Sequence, residues 1–127
     1  MKLMLDTHVL LWWLSDNPKL GRRARALIAD LNNDLIVSVA SPWEISVKHR
    51  IGKLDKSGAM IMQRLGDEKM GIVAITADHL AAYEALPKYH NDPFDLLILA
   101  QALVEGAIVI TNDDAMRQYG VRCIDVA

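Results

Sequence analysis

Short apolar runs alternate with stretches of helical spacing along the chain. Lys2–Leu5 predicts a strand ending at Asp6, and Thr7–Leu14 then predicts a helix. Between residues 22 and 31, Ala24, Leu27, Ile28 and Leu31 repeat at i, i+3, i+4, i+7 and predict an amphipathic helix. Residues 35–39 are rich in β-branched side chains and predict the second strand. Ser41-Pro42-Trp43-Glu44 follows with an N-cap residue, a proline for the first helical position and an acid three residues beyond the cap. A helix around 60–65, a strand over 72–75 and a helix from a Thr76 cap to about Leu86 come next. A polar loop then leads to Asp92-Pro93-Phe94-Asp95, which repeats the cap, proline and acid order. The helix it opens is apolar on nearly every side through Val104 and is expected to be buried. Gly106 ends it, residues 108–110 predict a fourth strand, and residues 121–124 a fifth. Strands alternating with helices predict an α/β fold with a mostly parallel sheet covered on both faces.

This arrangement places four acids together. Asp6 closes the first strand and Asp113 lies just past the fourth, so both belong to the carboxyl edge of a parallel sheet. Covering helices run antiparallel to the strands, which brings the first turns holding Glu44 and Asp95 to the same rim, where open α/β sheets bind ligands. Singly, each acid has a structural explanation: Glu44 and Asp95 suit helix N-termini, and Asp113 suits the cap of a short last helix. Asp6 is harder to explain in this way, because a carboxylate directly after a buried strand is costly to desolvate without a partner. Four convergent carboxylates repel one another, and a hard divalent cation, Mg²⁺ or Mn²⁺, relieves that repulsion with oxygen ligands. Such a site activates water and stabilises charge on a phosphodiester. Asp6 and Asp95 are the expected principal ligands, completed by Glu44 and Asp113, and one carboxyl is expected to have its pKa raised by like-charged neighbours.

Composition narrows the field. A length of 127 residues with 52% apolar content predicts one folded domain spanning 1–127, and a net charge of −2 argues against disorder. Cys123 stands alone, which excludes a disulfide scaffold. The apolar stretch at 9–14 is far short of the ~20 residues of a membrane span, and a cytoplasmic location is expected. His8, His49, His79 and His90 form no zinc-ligand spacing with Cys123, and surface or capping roles are expected for them. No nucleophile elbow, P-loop or dinucleotide fingerprint occurs. The mild acidity lies in the site itself: with the four acids set aside, 12 of the 16 remain against 14 bases. Arg22, Arg23 and Arg25 form one basic cluster. Lys48, Arg50 and Lys53, with His49 and Lys56, form another that follows Glu44 and is the better candidate for phosphate contacts. Trp43 is expected to pack inward, whereas one of the neighbours Trp12 and Trp13 is expected to meet a partner.

The ordered set Met4-Leu5-Asp6-Thr7-His8-Val9-Leu10-Leu11-Trp12, Ser41-Pro42-Trp43-Glu44-Ile45, Ile51-Gly52-Lys53-Leu54, Asp92-Pro93-Phe94-Asp95 with Ala100-Gln101-Ala102, and Ile110-Thr111-Asn112-Asp113 resembles the PIN domain, and within it the VapC-type toxins of bacterial toxin–antitoxin pairs. The resemblance spans essentially the whole chain. It implies a Rossmann-like five-stranded sheet in the order 3-2-1-4-5 and a Mg²⁺- or Mn²⁺-dependent endoribonuclease acting on RNA. It also implies an antitoxin that blocks the site, and a homodimer. Matched position by position, the acidic site falls on Asp6, Glu44, Asp95 and Asp113, with Thr7 and Thr111 as supporting hydroxyls. Leu96 stands where many relatives carry arginine. Asp92 and Asp114 neighbour two of the acids. Asp92 is the better cap before Pro93, and Asp113 keeps the spacing from Thr111. Two other readings compete: a small metal-dependent phosphatase, which would need an acid where His8 stands, and a non-catalytic RNA- or protein-binding module whose carboxylates receive a partner's arginines.

Overall fold

The computed structural model describes Met1–Ala127. Five strands, β1 (Lys2–Leu5), β2 (Asp34–Ser38), β3 (Gly71–Val73), β4 (Ile108–Ile110) and β5 (Cys123–Ile124), form one sheet in the order β3-β2-β1-β4-β5. Every pairing is parallel, as βαβ crossovers require. The helices are α1 (Thr7–Leu14), α2 (Arg22–Ala29), α3 (Ala40–Arg50), α4 (Gly58–Asp67), α5 (Ala77–Ala85), α6 (Pro93–Glu105) and α7 (Asp114–Arg117). None is long and apolar enough to cross a membrane.

The central strand explains the layering. Leu3, Met4 and Leu5 of β1 are all fully buried, but period two sends them to opposite faces. Leu3 and Leu5 join Val9, Leu10, Ala24, Ile28, Ile61 and Leu65 in one core layer. Met4 joins Leu97, Ile98, Leu99, Ala102 and Met116 in the other. β1 sends the chain towards β2 and β3 on one side, and the chain later returns to β4 and β5 on the other. The strand order therefore reverses between β1 and β4, and the crevice at their carboxyl ends is the ligand position of such sheets.

Several boundaries differ from expectation. Ser41 does not cap α3. The helix starts at Ala40, directly after β2, and it is the Ser38 hydroxyl that accepts from the Ala40 N–H at 3.0 Å. Pro42 is the third helical residue, where its missing N–H has no intrahelical partner to lose. Glu44 accordingly lies beyond the first turn. The second helix ends at Ala29, leaving Leu31 95% exposed, because Asp30 and Asn33 fold the chain into a turn towards β2. Burial of α6 holds from Leu97 to Ala102 only; Leu103 and Val104 face outward near its end. That helix stops at Gly106, whose φ of 66° is the left-handed conformation glycine adopts without strain.

Candidate active site

Asp6 sits at the end of β1 and caps α1. Its Oδ1 accepts from the Val9 N–H at 2.9 Å, and its Oδ2 accepts from the Thr111 hydroxyl. It is only 4% exposed, and burial drives its pKa up despite these donors and the nearby His8; the charge of Asp113 pushes the same way. Thr111 follows β4 and works in two directions, since its Oγ1 also accepts from the Asp113 N–H at 2.9 Å. A single hydroxyl thereby ties the acid after β1 to the acid after β4. Thr7 acts elsewhere: its hydroxyl pairs with that of Ser41 at 2.9 Å and pins the start of α3 to the start of α1.

Asp113 caps α7 through the Ala115 N–H at 2.9 Å and remains partly exposed. Asp92 caps α6, accepting from the Phe94 and Asp95 N–H groups at 2.9 and 3.3 Å, which leaves the carboxylate of Asp95 free of capping duty. The pKa of Asp95 rises to about 7, chiefly from burial, then from the charges of Asp92, Glu44 and Asp113, with His90 opposing. Glu44 is 4% exposed; one oxygen, Oε2, meets Lys48 Nζ at 2.7 Å, and the other, Oε1, is buried with no hydrogen-bond partner. Charge interaction links Asp95 to Glu44 and to Asp113, and Asp113 to Asp6. The expected four acids thus form one chain of interacting carboxylates, in which Asp113 connects Asp6 with Asp95.

Three findings depart from the expected layout. His90, expected at the surface or in a cap, points Nε2 at Asp95 Oδ2 (3.1 Å) and Asp113 Oδ2 (3.5 Å). Its Nδ1 accepts from the Asp92 N–H at 3.2 Å, so the neutral ring carries its hydrogen on Nε2, towards the two carboxylates. The sequence signal was its place in the polar loop two residues before the Asp92 cap, which delivers it to the same rim. Lys48 is committed to Glu44, an i, i+4 pairing legible in the spacing, whereas Arg50 and Lys53 are exposed. Trp43 does not pack inward; it is 56% exposed and meets Phe94 edge-on. His79 does cap α5, together with Thr76, but it is buried and its Nε2 meets Glu105 at 2.9 Å. Asp114 is exposed and pairs loosely with Arg117.

The donor set suits a hard cation. Asp95 and Asp113 offer carboxylate oxygens within 4.8 Å of each other, and Glu44 Oε1 is a buried acceptor that nothing else satisfies. The sequence profile of the PIN domain matches residues 3–121, a span that holds all of these groups. The chain belongs to the PIN domain family. PIN-domain nucleases are metal-dependent, in keeping with the acidic group described above. This PIN domain is similar to Ribonuclease VapC22 of Mycobacterium tuberculosis, with 28% identity over 120 residues, 92% of this chain and 91% of that protein. Its fold is similar to that in a VapBC2 structure from Rickettsia felis bound to a promoter DNA fragment, at a TM-score of 0.76 and 19% identity over 98% of both chains. A toxin–antitoxin complex from Klebsiella pneumoniae is also similar, at a TM-score of 0.58 and 23% identity over 87% of this chain and 86% of that one.

Proposed function

We propose that this PIN domain is a Mg²⁺- or Mn²⁺-dependent endoribonuclease of the VapC type, the toxin of a type II toxin–antitoxin pair acting in the cytoplasm. One observation carries the reading: acids from four separated segments meet at the switch point of the sheet, where the buried Glu44 Oε1 still lacks a partner. Similarity to a ribonuclease over nearly the whole chain supports the substrate class, and similarity to toxin–antitoxin complexes supports an antitoxin partner. The homodimer rests on the family resemblance alone.

Asp6 and Asp95 would be the principal residues holding the cation, with Glu44 and Asp113 completing the site. When bound, the ion lowers the pKa of a water and neutralises charge on the phosphodiester. The protein's own part is orientation. Thr111 fixes Asp6 and Asp113 against each other, His90 donates towards Asp95 and Asp113, and Lys48 holds Oε2 of Glu44 while Oε1 stays unpaired. Without the cation, burial and the neighbouring carboxylates hold the pKa of Asp95 at about 7, and a bound ion would favour its ionised form. Arg50 and Lys53 are exposed and free to meet phosphates of the RNA, whereas Lys48, the third expected contact, is engaged by Glu44.

The test is incubation of purified protein with total RNA, with Mn²⁺ and with EDTA, followed by mapping of new ends. Wild type should cut in Mn²⁺ and not in EDTA. Asp6→Asn keeps the shape and removes the charge, and should slow cleavage by about 100-fold or more. Equal rates for the two proteins would remove Asp6 from the site.

A further inference from the structure

We propose that Trp43 is the platform on which a nucleobase of the RNA stacks beside the acidic notch, an inference that rests on the endoribonuclease reading. Trp43 directly precedes Glu44, and Phe94 directly precedes Asp95. The two rings meet edge-on, with centroids 4.9 Å apart and planes at 77°. An aromatic pair therefore bridges α3 and α6 one residue from two of the four acids. The contact holds the indole in place while 56% of the residue stays in water. With the exposed Met62, which lines one hollow with it, Trp43 forms a contiguous apolar patch of the kind that marks an interaction surface.

The surroundings decide what covers it. Trp43 lines an open hollow of about 240 Å³ with Val39, Pro42 and Met62, and its lining includes no charged side chain. The α4 side of the hollow is closed by Gly58, where any Cβ would collide with the Pro42 carbonyl oxygen. An uncharged hollow beside a ring does not recognise a phosphate; it receives a flat, uncharged π-face. In single-stranded RNA that face is the nucleobase, joined to the phosphate that the acids address. Arg50 at the end of the same helix and Lys53 just after it are exposed cations suited to the neighbouring backbone. Stacking is tolerant of base identity, because every base has a π-face, so the platform accepts any of the four nucleobases.

The experiment uses single-stranded RNA oligonucleotides carrying one abasic nucleotide walked across the cleavage site, with Mn²⁺. For wild type, one position next to the cut should lose about 10-fold or more in kcat/KM, the size of effect one stacked base provides. Trp43→Ala should lose a similar factor on the intact oligonucleotide and nothing further at that abasic position, while Trp43→Phe keeps most of the wild-type rate. An abasic penalty of equal size in wild type and Trp43→Ala overturns the proposal. A second arm measures binding of labelled RNA in the Asp6→Asn background with EDTA present to stop turnover, where adding Trp43→Ala should weaken affinity about 10-fold; unchanged affinity also overturns it. A wild-type protein that cuts no RNA defeats the endoribonuclease reading, whereas the binding arm still tests the stacking. If Trp43→Ala cuts and binds RNA normally but escapes inhibition by a cognate antitoxin, the surface belongs to a protein and the stacking assignment fails.

Discussion

Asp6 shows how one residue's chemistry depends on another far away in the chain. Its carboxylate is buried at the end of β1, and two donors answer it, the Val9 N–H and the Thr111 hydroxyl. Thr111→Val keeps the volume and removes a donor to a buried charge, a change that typically costs about 1–3 kcal/mol. Denaturant unfolding should show a loss of that size, growing as pH rises and Asp6 ionises. The variant should also push the Asp6 pKa further up, since a hydrogen bond favouring the charged form is gone. Loss of the hydroxyl would in addition leave the Asp113 N–H without its acceptor, so metal affinity is expected to fall along with stability.

At the scale of elements, the N-terminus of α6 separates two tasks between neighbouring acids. Asp92 caps, and Asp95 faces the site. Asp92→Ala should lower stability by about 1 kcal/mol through the lost cap. It also removes one of the negative neighbours that hold Asp95 high, so Asp95 should titrate below its value of about 7. A carboxyl-carbon NMR titration checks the shift, and Mn²⁺-dependent cleavage should persist. Loss of all cleavage in a folded Asp92→Ala protein would mean that the division of labour is wrong. The same logic governs α3: because it starts straight after β2, Ser41 is released from capping to pair with Thr7, and Glu44 is carried past the first turn into the notch.

At the scale of the whole molecule, the acid cluster couples folding, pH and metal. With its folded pKa raised to about 7 from an ordinary value of about 3.9, Asp95 binds more proton in the native than in the unfolded state between those limits. Stability from this group is therefore present at low pH and is lost as pH rises through 7. A cation selects the ionised carboxylates, so its affinity should rise with pH up to about 7 and then level off. Two measurements check this. Melting of the metal-free protein should show the decline across that window, reduced in Asp95→Asn. Mn²⁺ at ~100 times its Kd should raise stability by about 2.7 kcal/mol, EDTA should reverse the gain, and calorimetry below pH 7 should detect proton release.

The alternation of strand and helix, the parallel sheet and the gathering of Asp6, Asp95 and Asp113 at its carboxyl edge were written in the chain, because period, caps and strand ends are local properties of sequence. Asp92 before Pro93 and Asp113 after Thr111 were legible for the same reason. Glu44 was expected at that edge from a first turn capped by Ser41, and it is the start of α3 at Ala40 that sets its place. What tertiary structure alone decided concerns side chains whose environment comes from distant segments. His90 reaches Asp95 and Asp113 because two loops meet at the strand-order reversal. Trp43 stays exposed because the space beside it is framed by Phe94 and α4 rather than filled by the core. The periodicity of a strand or helix sets which face a residue occupies, but only the packing of separate elements determines what that face meets.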